Sequence, residues 1–160
     1  MQNQPNNVEF TFCDFANSHH CDKLLELLNC YINDPMGGGI PLDQQKGLQL
    51  IAGLKAHPAS FVLFVLLNNE IAGLATCFVN FSTFKASPYI NIHDIIVKKE
   101  MRGSGLGKAL LHKITSIATE KNYCKVTLEV REDNTNAKTL YQSLGFKDTE
   151  PPMHFWTKML

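Results

Sequence analysis

Residues 95–108 have the sequence IIVKKEMRGSGLGK, in which an apolar run leads into a glycine-rich turn and then into a helical pattern. The run predicts the end of a β-strand, and the apolar positions from Leu106 to Ile117 recur on one face of a helix. At such a junction, free backbone N–H groups and the positive end of the helix dipole point at one place. The stretch therefore predicts an anion site suited to phosphate or pyrophosphate.

Two common phosphate-binding motifs do not fit this turn. A Walker loop needs glycine at position 102 and serine or threonine at position 109, where the chain has Arg102 and Ala109. A Rossmann fingerprint that starts at Gly103 or Gly105 needs glycine at position 108 or 110, and neither position is glycine. The pattern that is present is arginine at 102, glycine at 105 and glycine at 107.

Outward from the turn, the chain alternates between strand and helix patterns without repeats or linkers. Strands are predicted at residues 8–15, 60–67, 70–81, 89–98, 125–130 and 153–159. Helices are predicted after the caps at 17–18, from the cap Asp43 to Lys55, from 106 to about 121, and over 134–144. In the second helix, Leu48, Ile51 and Leu54 are expected to point inward. The order predicts one α/β (α+β) domain over residues 1–160 with a mixed, mostly antiparallel sheet.

Composition narrows the class of protein. The 160 residues carry a formal net charge of zero, so nucleic acid and membrane surfaces are not expected partners. Five widely spaced cysteines without a CxxC pair predict reduced, mostly buried thiols in a cytoplasmic protein. No signal peptide is predicted, and the longest apolar run, Phe61–Leu67, is too short to span a bilayer. The neighbours 19–22 (HHCD) do not converge on a helix, so no metal site is expected.

A second motif lies about thirty residues after the turn. Its residues are Asp133, Asn134, Ala137, Tyr141, Gly145 and Phe146. Together with the RxxGxG pattern and the order of elements, it resembles the GNAT superfamily of N-acetyltransferases over nearly the whole chain. The resemblance implies the GNAT fold, in which about four helices flank a sheet with a V-shaped splay.

The resemblance also implies a site for acetyl-coenzyme A (acetyl-CoA) in the splay between residues 92–97 and 125–130. The pantetheine arm would lie along the strand residues Ile95, Ile96 and Val97, where an N–H could stabilise a developing oxyanion. The turn would hold the pyrophosphate with Arg102, Gly103, Ser104, Gly105, Leu106, Gly107 and Lys108. The last helix would contribute to the cofactor site with Asn134, Ala137 and Tyr141.

Amine acetylation needs a base for the amine and an acid for the departing thiolate. The resemblance assigns the acid to Tyr141 and leaves the base open among His93, Asp94 and Glu129. Residues 92–97 (IHDIIV) resemble the corresponding strand of diamine acetyltransferases, which carry Glu-Asp in place of His93-Asp94. Because neighbours on a strand alternate between faces, only one of these two is expected to face the cleft. The histidine keeps a base but removes a negative charge, which weakens the expected selection for polycations.

The function implied is acetyl transfer from acetyl-CoA to a primary amine of a small molecule, such as an amino acid or diamine, by direct attack in a ternary complex. Two alternatives stay open: acetylation of a protein or peptide, and a non-catalytic regulator that binds coenzyme A (CoA). A homodimer is expected by analogy with the family. The triple-glycine segment 34–39 is either a plain turn or a border of the acceptor site.

Overall fold

A computed structural model describes residues 7–160. Four α-helices and five β-strands occur in this range: β1 Val8–Phe12, α1 Ser18–Ile32, α2 Gln44–Ala56, β2 Ser60–Leu67, β3 Glu70–Ser82, β4 Ser87–Val97, α3 Leu106–Glu120, β5 Val126–Leu128 and α4 Thr135–Ser143. The chain divides into two compact units, one that ends at Glu129 and one from Val130 to Leu160. The first contains the whole sheet and α1 to α3, and the second contains α4.

The five strands form one sheet in the order in which they occur along the chain. Strands β1 to β4 pair antiparallel, and β4 pairs parallel with β5 after the crossover through α3. The turn between β2 and β3 is Asn68-Asn69, and both residues have positive φ (51° and 68°). Two successive left-handed residues are typical of a tight type I′ hairpin. The mixed, mostly antiparallel sheet and the hairpin are confirmed.

Helices cover both faces of the sheet. On one face, α1 packs Leu24, Leu27 and Leu28 against a cluster that includes Phe64 of β2 and Leu74 of β3. Each large apolar side chain buried in this way stabilises the fold by about 1.5–3 kcal/mol. We call this the α1 face.

The opposite face carries the intervening residues of the strands, such as Leu63 of β2 and Ile90 of β4, which are also fully buried. Helix α3 contacts β2, β3, β4 and β5, and its apolar positions, including Leu110 and Ile114, are buried. These are the positions predicted from the helical spacing. We call this the α3 face.

In helix α2, the prediction of inward positions is confirmed at Ile51 and Leu54 but wrong at Leu48. Leu48, expected to point inward, is 65% exposed. The inward positions are Gly47, which is buried, and the partly buried Leu50, Ile51 and Leu54. A Cβ at position 47 would lie 3.1 Å from Leu25 Cδ1, so the absent side chain lets α1 and α2 approach closely. Glycine occupies an inward position that a count of apolar residues assigns to leucine.

The strand predicted at residues 153–159 is wrong. Residues 153–160 form no strand and are exposed, and Pro151-Pro152 precede them. Two prolines remove two backbone donors that a ladder would use. Strand β1 also ends earlier than predicted, since the Asp14 carboxylate accepts the Ala16 N–H and turns the chain toward α1.

All five cysteines are free thiols, but the expectation that most are buried is wrong. Only Cys77 is buried, while Cys30 and Cys124 are exposed. Burial raises the pKa of both Cys13 and Cys77 to about 12, so these two thiols stay protonated. Among the helices of residues 7–160, none is long and apolar enough to cross a membrane.

Candidate functional site

Strand β4 contains a β-bulge at the residues singled out as candidate bases. Asp94 pairs with Thr76, and Ile92 pairs with the next β3 residue, Cys77. His93 therefore has no partner of its own in the ladder and is the extra residue of the bulge. Bulges are frequent beside active sites because they change the direction of a side chain.

The bulge places the side chains of His93 and Asp94 on the same face. The ring of His93 lies 5.7 Å from that of Phe78, edge to face, and Asp94 is opposite Thr76. Thr76 and Phe78 are two residues apart on β3 and so share a face, the α1 face. The expectation that only one of the two can face the cleft is wrong, because it assumed a regular strand.

Asp94 is the more deeply placed of the two. Burial raises the pKa of its carboxyl above the ordinary value of 3.8, and His93 and Thr76 lower it in turn. Thr76 is buried, and its hydroxyl makes no hydrogen bond of good geometry with the residues described. Thr76 therefore counteracts only part of the rise in the pKa of Asp94 that burial causes. His93 itself is exposed. The pair thus consists of an accessible imidazole and a carboxyl that resists ionisation.

We expect Asp94→Asn to stabilise the protein at neutral pH. A carboxyl whose folded-state pKa is raised keeps its proton at pH values where the unfolded chain has released it, so stability falls as pH rises from about 4 through the folded-state pKa. The amide has no proton to lose. The melting temperature of the variant should exceed that of the wild type by a few °C at pH 7.5. The difference should shrink toward pH 4.5, and a difference that grows with acid would contradict the assignment.

Pairing between β4 and β5 ends early. The last pair is Ile92 with Leu128, and in the first unit β4 continues to Val97 with only β3 beside it. The Lys98 N–H donates to Ala72 O on β3 (2.9 Å), so alternation turns the N–H groups of Ile95 and Val97 to the open edge. Glu129 is exposed. It comes directly after Leu128, the β5 residue of the last β4–β5 pair, just as His93 comes directly after Ile92 on β4.

Gly73 on β3 fixes how closely β4 approaches at this point. It pairs with Val97, and a Cβ at position 73 would lie 2.5 Å from the carbonyl oxygen of Ile96. No side chain fits at that distance without a shift of backbone. The position of the open edge therefore depends on a glycine of the neighbouring strand.

The turn after β4 offers a run of unused donors. Within residues 7–160, no backbone N–H from 103 to 108 donates to a backbone carbonyl, and the first that does is that of Ala109, to Gly105 O (2.9 Å). Gly103 and Gly105 have φ of 79° and 86°, and a Cβ on either would have no atom within 4 Å. Left-handed glycines, open space and a helix start suit a pyrophosphate. Lys108 adds an exposed cation.

Arg102 is held on both sides. Its Nε donates to the carbonyl oxygen of Val97 (3.2 Å), and its NH1 donates to Asp34 Oδ2 (2.9 Å). Asp34 lies in the segment between α1 and α2, whose Gly37 could not carry a Cβ because it would meet the Tyr31 carbonyl oxygen at 2.0 Å. Close backbone approach is therefore one use of these glycines. The Arg102–Asp34 contact was not anticipated, since 68 residues separate the partners.

The second unit contains the other predicted site residues. Asn134 caps α4, and its Oδ1 accepts the N–H of Ala137 (3.2 Å), which leaves the amide NH2 of Asn134 as the available donor. Tyr141 is buried and lies two helical turns further along α4, with its ring 6.1 Å from that of Phe146. The cap and the short helix are confirmed at Thr135–Ser143.

In the first unit, most of the predicted site residues therefore lie along β4 and the turn that follows it. His93, Asp94, the β4 edge and the glycine turn follow one another along β4 and into α3, and Glu129 lies at the end of the β4–β5 ladder. The sequence analysis did not identify Thr76 or Phe78, and it included Asp34 only as part of the segment 34–39. Among the described residues, no group of three or more His, Cys, Asp or Glu side chains could hold a metal ion.

A family model described as the acetyltransferase (GNAT) family matches residues 14–146. The chain is 33% identical over 78 residues to thialysine N-epsilon-acetyltransferase of Bos taurus, a match that covers 49% of this chain and 45% of that protein. It is 30% identical over 96 residues to the ribosomal protein bS18-alanine N-acetyltransferase of Haemophilus influenzae, covering 60% and 61%.

Among solved structures, an aminoglycoside N-acetyltransferase in complex with CoA superimposes with a TM-score of 0.76. The alignment covers 100% of both chains at 16% sequence identity. This likeness is one of fold. The matches to the two relatives above cover less than two thirds of either relative's length.

Proposed function

Because the chain belongs to the acetyltransferase (GNAT) family, we propose that it transfers the acetyl group of acetyl-CoA to a primary amine of a small molecule. The observation that carries the proposal is the junction of β4 and α3. There an open strand edge at Ile95 and Val97 leads directly into the unused N–H groups of residues 103–108. The open strand edge suits the extended, amide-containing pantetheine arm of CoA, and the N–H groups of the turn suit the phosphates of CoA.

Acetyl-CoA would supply the acetyl group as a thioester. The N–H groups of Ile95 and Val97 would hold the pantetheine arm, with Ile96 between them, and one of them would stabilise negative charge on the thioester oxygen. The turn from Arg102 to Lys108 would bind the pyrophosphate through backbone donors and cations. By the family resemblance, we also propose Asn134, Ala137 and Tyr141 as residues that bind the cofactor.

We assign the base to His93. It is exposed, whereas Asp94 is half-buried and burial raises the pKa of its carboxyl, so the imidazole is the more accessible proton acceptor. Asp94 would orient the imidazole and stabilise its charged form. Glu129 is the second candidate because it follows the last pair of the same ladder. Tyr141 would return a proton to the departing thiolate, so that the amine loses one proton and the sulfur gains one.

The α1 face of the bulge supports a small amine as the acceptor. His93, Phe78 and the neighbouring His57 form a row of rings, with centroids 5.7 and 5.1 Å apart. Asp94 is the one carboxyl that β4 contributes there. A small amine with a flat or apolar body fits this surface better than a polycation does. The thialysine acetyltransferase relative is consistent with an amino-acid-like amine, and the bS18-alanine relative supports acetylation of a protein N-terminus as the second candidate.

An acceptor screen tests the proposal. Purified protein with acetyl-CoA is presented with amino acids, diamines, aromatic amines and N-terminal peptides, and free thiol release is measured beside the mass of the product. We expect turnover of small primary amines. Turnover of peptides alone would favour the second candidate. CoA binding without any turnover would favour the non-catalytic regulator.

Tyr141→Phe should lower kcat by about a hundredfold, the scale of one general acid. The substitution keeps the ring and its contact with Phe146 and deletes only the hydroxyl. Binding of acetyl-CoA should change little. Unchanged kcat in a stable variant would remove Tyr141 from the reaction. A large fall in melting temperature would instead indicate that the buried hydroxyl serves the packing of α4.

Three further expectations stay predictions. Residues 1–160 would form a single acetyltransferase domain, the protein would be cytoplasmic, and two copies would pair as a homodimer by analogy with the family. Sedimentation analysis would measure the last of these directly.

A further inference from the structure

Both oxygens of the Asp34 carboxylate are committed, and they hold different parts of the chain. Oδ1 accepts the N–H of Met36 (3.0 Å), which closes the first turn after α1. Oδ2 accepts NH1 of Arg102 (2.9 Å). These two hydrogen bonds, with the Met36 N–H contributing more, hold the pKa of Asp34 below its usual value, so the carboxylate is charged.

The contact between Asp34 and Arg102 joins the α1–α2 loop, residues 33–43, to the glycine turn. Among the described residues it is the one hydrogen bond between these two segments. The rest of the loop is held by α1 itself: Asn29 bonds Leu42 at both N and O, and the Gly39 N–H donates to Ile32 O. Asp34 is also held by α1, because its N–H donates to Tyr31 O (2.9 Å). Loss of the ion pair would therefore release the loop from the turn at Asp34 and leave its hydrogen bonds to α1 in place.

The same guanidinium lies where the pyrophosphate is expected. Its Nε is anchored to Val97 O, the last residue of β4, so the group stays beside the turn whichever anion it meets. While it is paired with Asp34, the carboxylate partly offsets its positive charge. The Asp34 carboxylate would also repel the pyrophosphate of CoA, because both groups are negatively charged.

We propose that Asp34 and the cofactor's pyrophosphate compete for Arg102, so that binding of CoA releases the α1–α2 loop from the turn. This rests on the proposed function, since it takes the turn as the CoA site. The loop connects the two helices that pack on the α1 face, where His93 and Phe78 lie. Asp34 thereby couples occupation of the cofactor site to the attachment of a loop on the acceptor side.

Calorimetric titration of CoA into wild-type and Asp34→Asn protein tests the competition. Asparagine retains an oxygen for the Met36 N–H but loses the charge that holds Arg102. We expect the variant to bind CoA about three- to tenfold more tightly, the effect of one screened ion contact. Glu26→Gln is the matched control, because it makes the same change of charge at an ion pair within α1, with Lys23. Its affinity should equal that of the wild type.

Hydrogen exchange of residues 34–39 supplies the second readout. CoA should accelerate exchange in the wild type, and Asp34→Asn should show the fast exchange without CoA. Equal or weaker CoA binding by Asp34→Asn than by the wild type, or exchange in the loop that CoA leaves unchanged, would overturn the competition while the proposed function stands. Absence of CoA binding by the wild type would overturn both.

Discussion

Gly105→Val is expected to abolish measurable CoA binding, with a rise in Kd of about a hundredfold or more, equivalent to about 2.7 kcal/mol. Gly105 has φ of 86°, and a Cβ placed on it projects into open space above the unused N–H groups. A branched side chain would occupy the volume where a phosphate must approach the backbone. The measurement is calorimetric titration of the folded variant with CoA.

Backbone strain is the competing explanation, since a non-glycine residue in this region costs about 1–3 kcal/mol. Gly145 provides a matched control. Its φ is also 86°, and a Cβ there likewise meets no atom within 4 Å. Gly145→Val should be destabilised to a similar extent in a thermal melt and still bind CoA. Normal CoA affinity in a folded Gly105→Val protein would contradict the assignment of the turn.

Deletion of His93 should lower kcat by about 10²–10⁴-fold and leave the fold intact. The ladder already pairs Ile92 with Cys77 and Asp94 with Thr76, so removal of the residue between them yields a regular strand. All other β4 residues keep their faces. We therefore expect a melting temperature equal to or above that of the wild type, together with the loss of activity. Steady-state kinetics with an acceptor from the screen, beside thermal melts, measures both.

His93→Ala separates the imidazole from the bulge. It keeps the extra residue and the direction of Asp94 but removes the base, so its kcat should fall as far as that of the deletion. If only the deletion is impaired, the geometry that the bulge gives to Asp94 matters and the imidazole does not. If both variants retain wild-type kcat, Glu129 becomes the leading candidate for the base.

Local signals carried the prediction of the fold. The helix from Leu106 and the strand Ser60–Leu67 were recognised because their periodicity was uninterrupted, and Asn134 and Asp43 because a cap is chosen by its own neighbours. The glycine turn was recognisable for the same reason. Its function depends on the φ angles and N–H groups of six consecutive residues, and the sequence of those residues itself determines both.

Contacts between distant segments could not be read in this way. The ion pair of Asp34 with Arg102 joins segments whose proximity depends on how α1 packs, and no local pattern records it. The bulge is visible in the sequence pattern. On the α3 face, the apolar positions of β4 change from the even numbers 90 and 92 to the odd numbers 95 and 97. A strict alternation was assumed across that change, which is why His93 and Asp94 were assigned to opposite faces.

The missing side chain at Gly73 has a consequence for how this protein could vary. A substitution there would bring one carbon atom within 2.5 Å of the Ile96 carbonyl oxygen and push the end of β4 outward, although residue 73 touches neither substrate in the proposed scheme. Selection on cofactor affinity would then act on a residue that lies outside the cofactor site. Laboratory evolution of acceptor range should accordingly leave position 73 unchanged while the rings at 57 and 78 diversify.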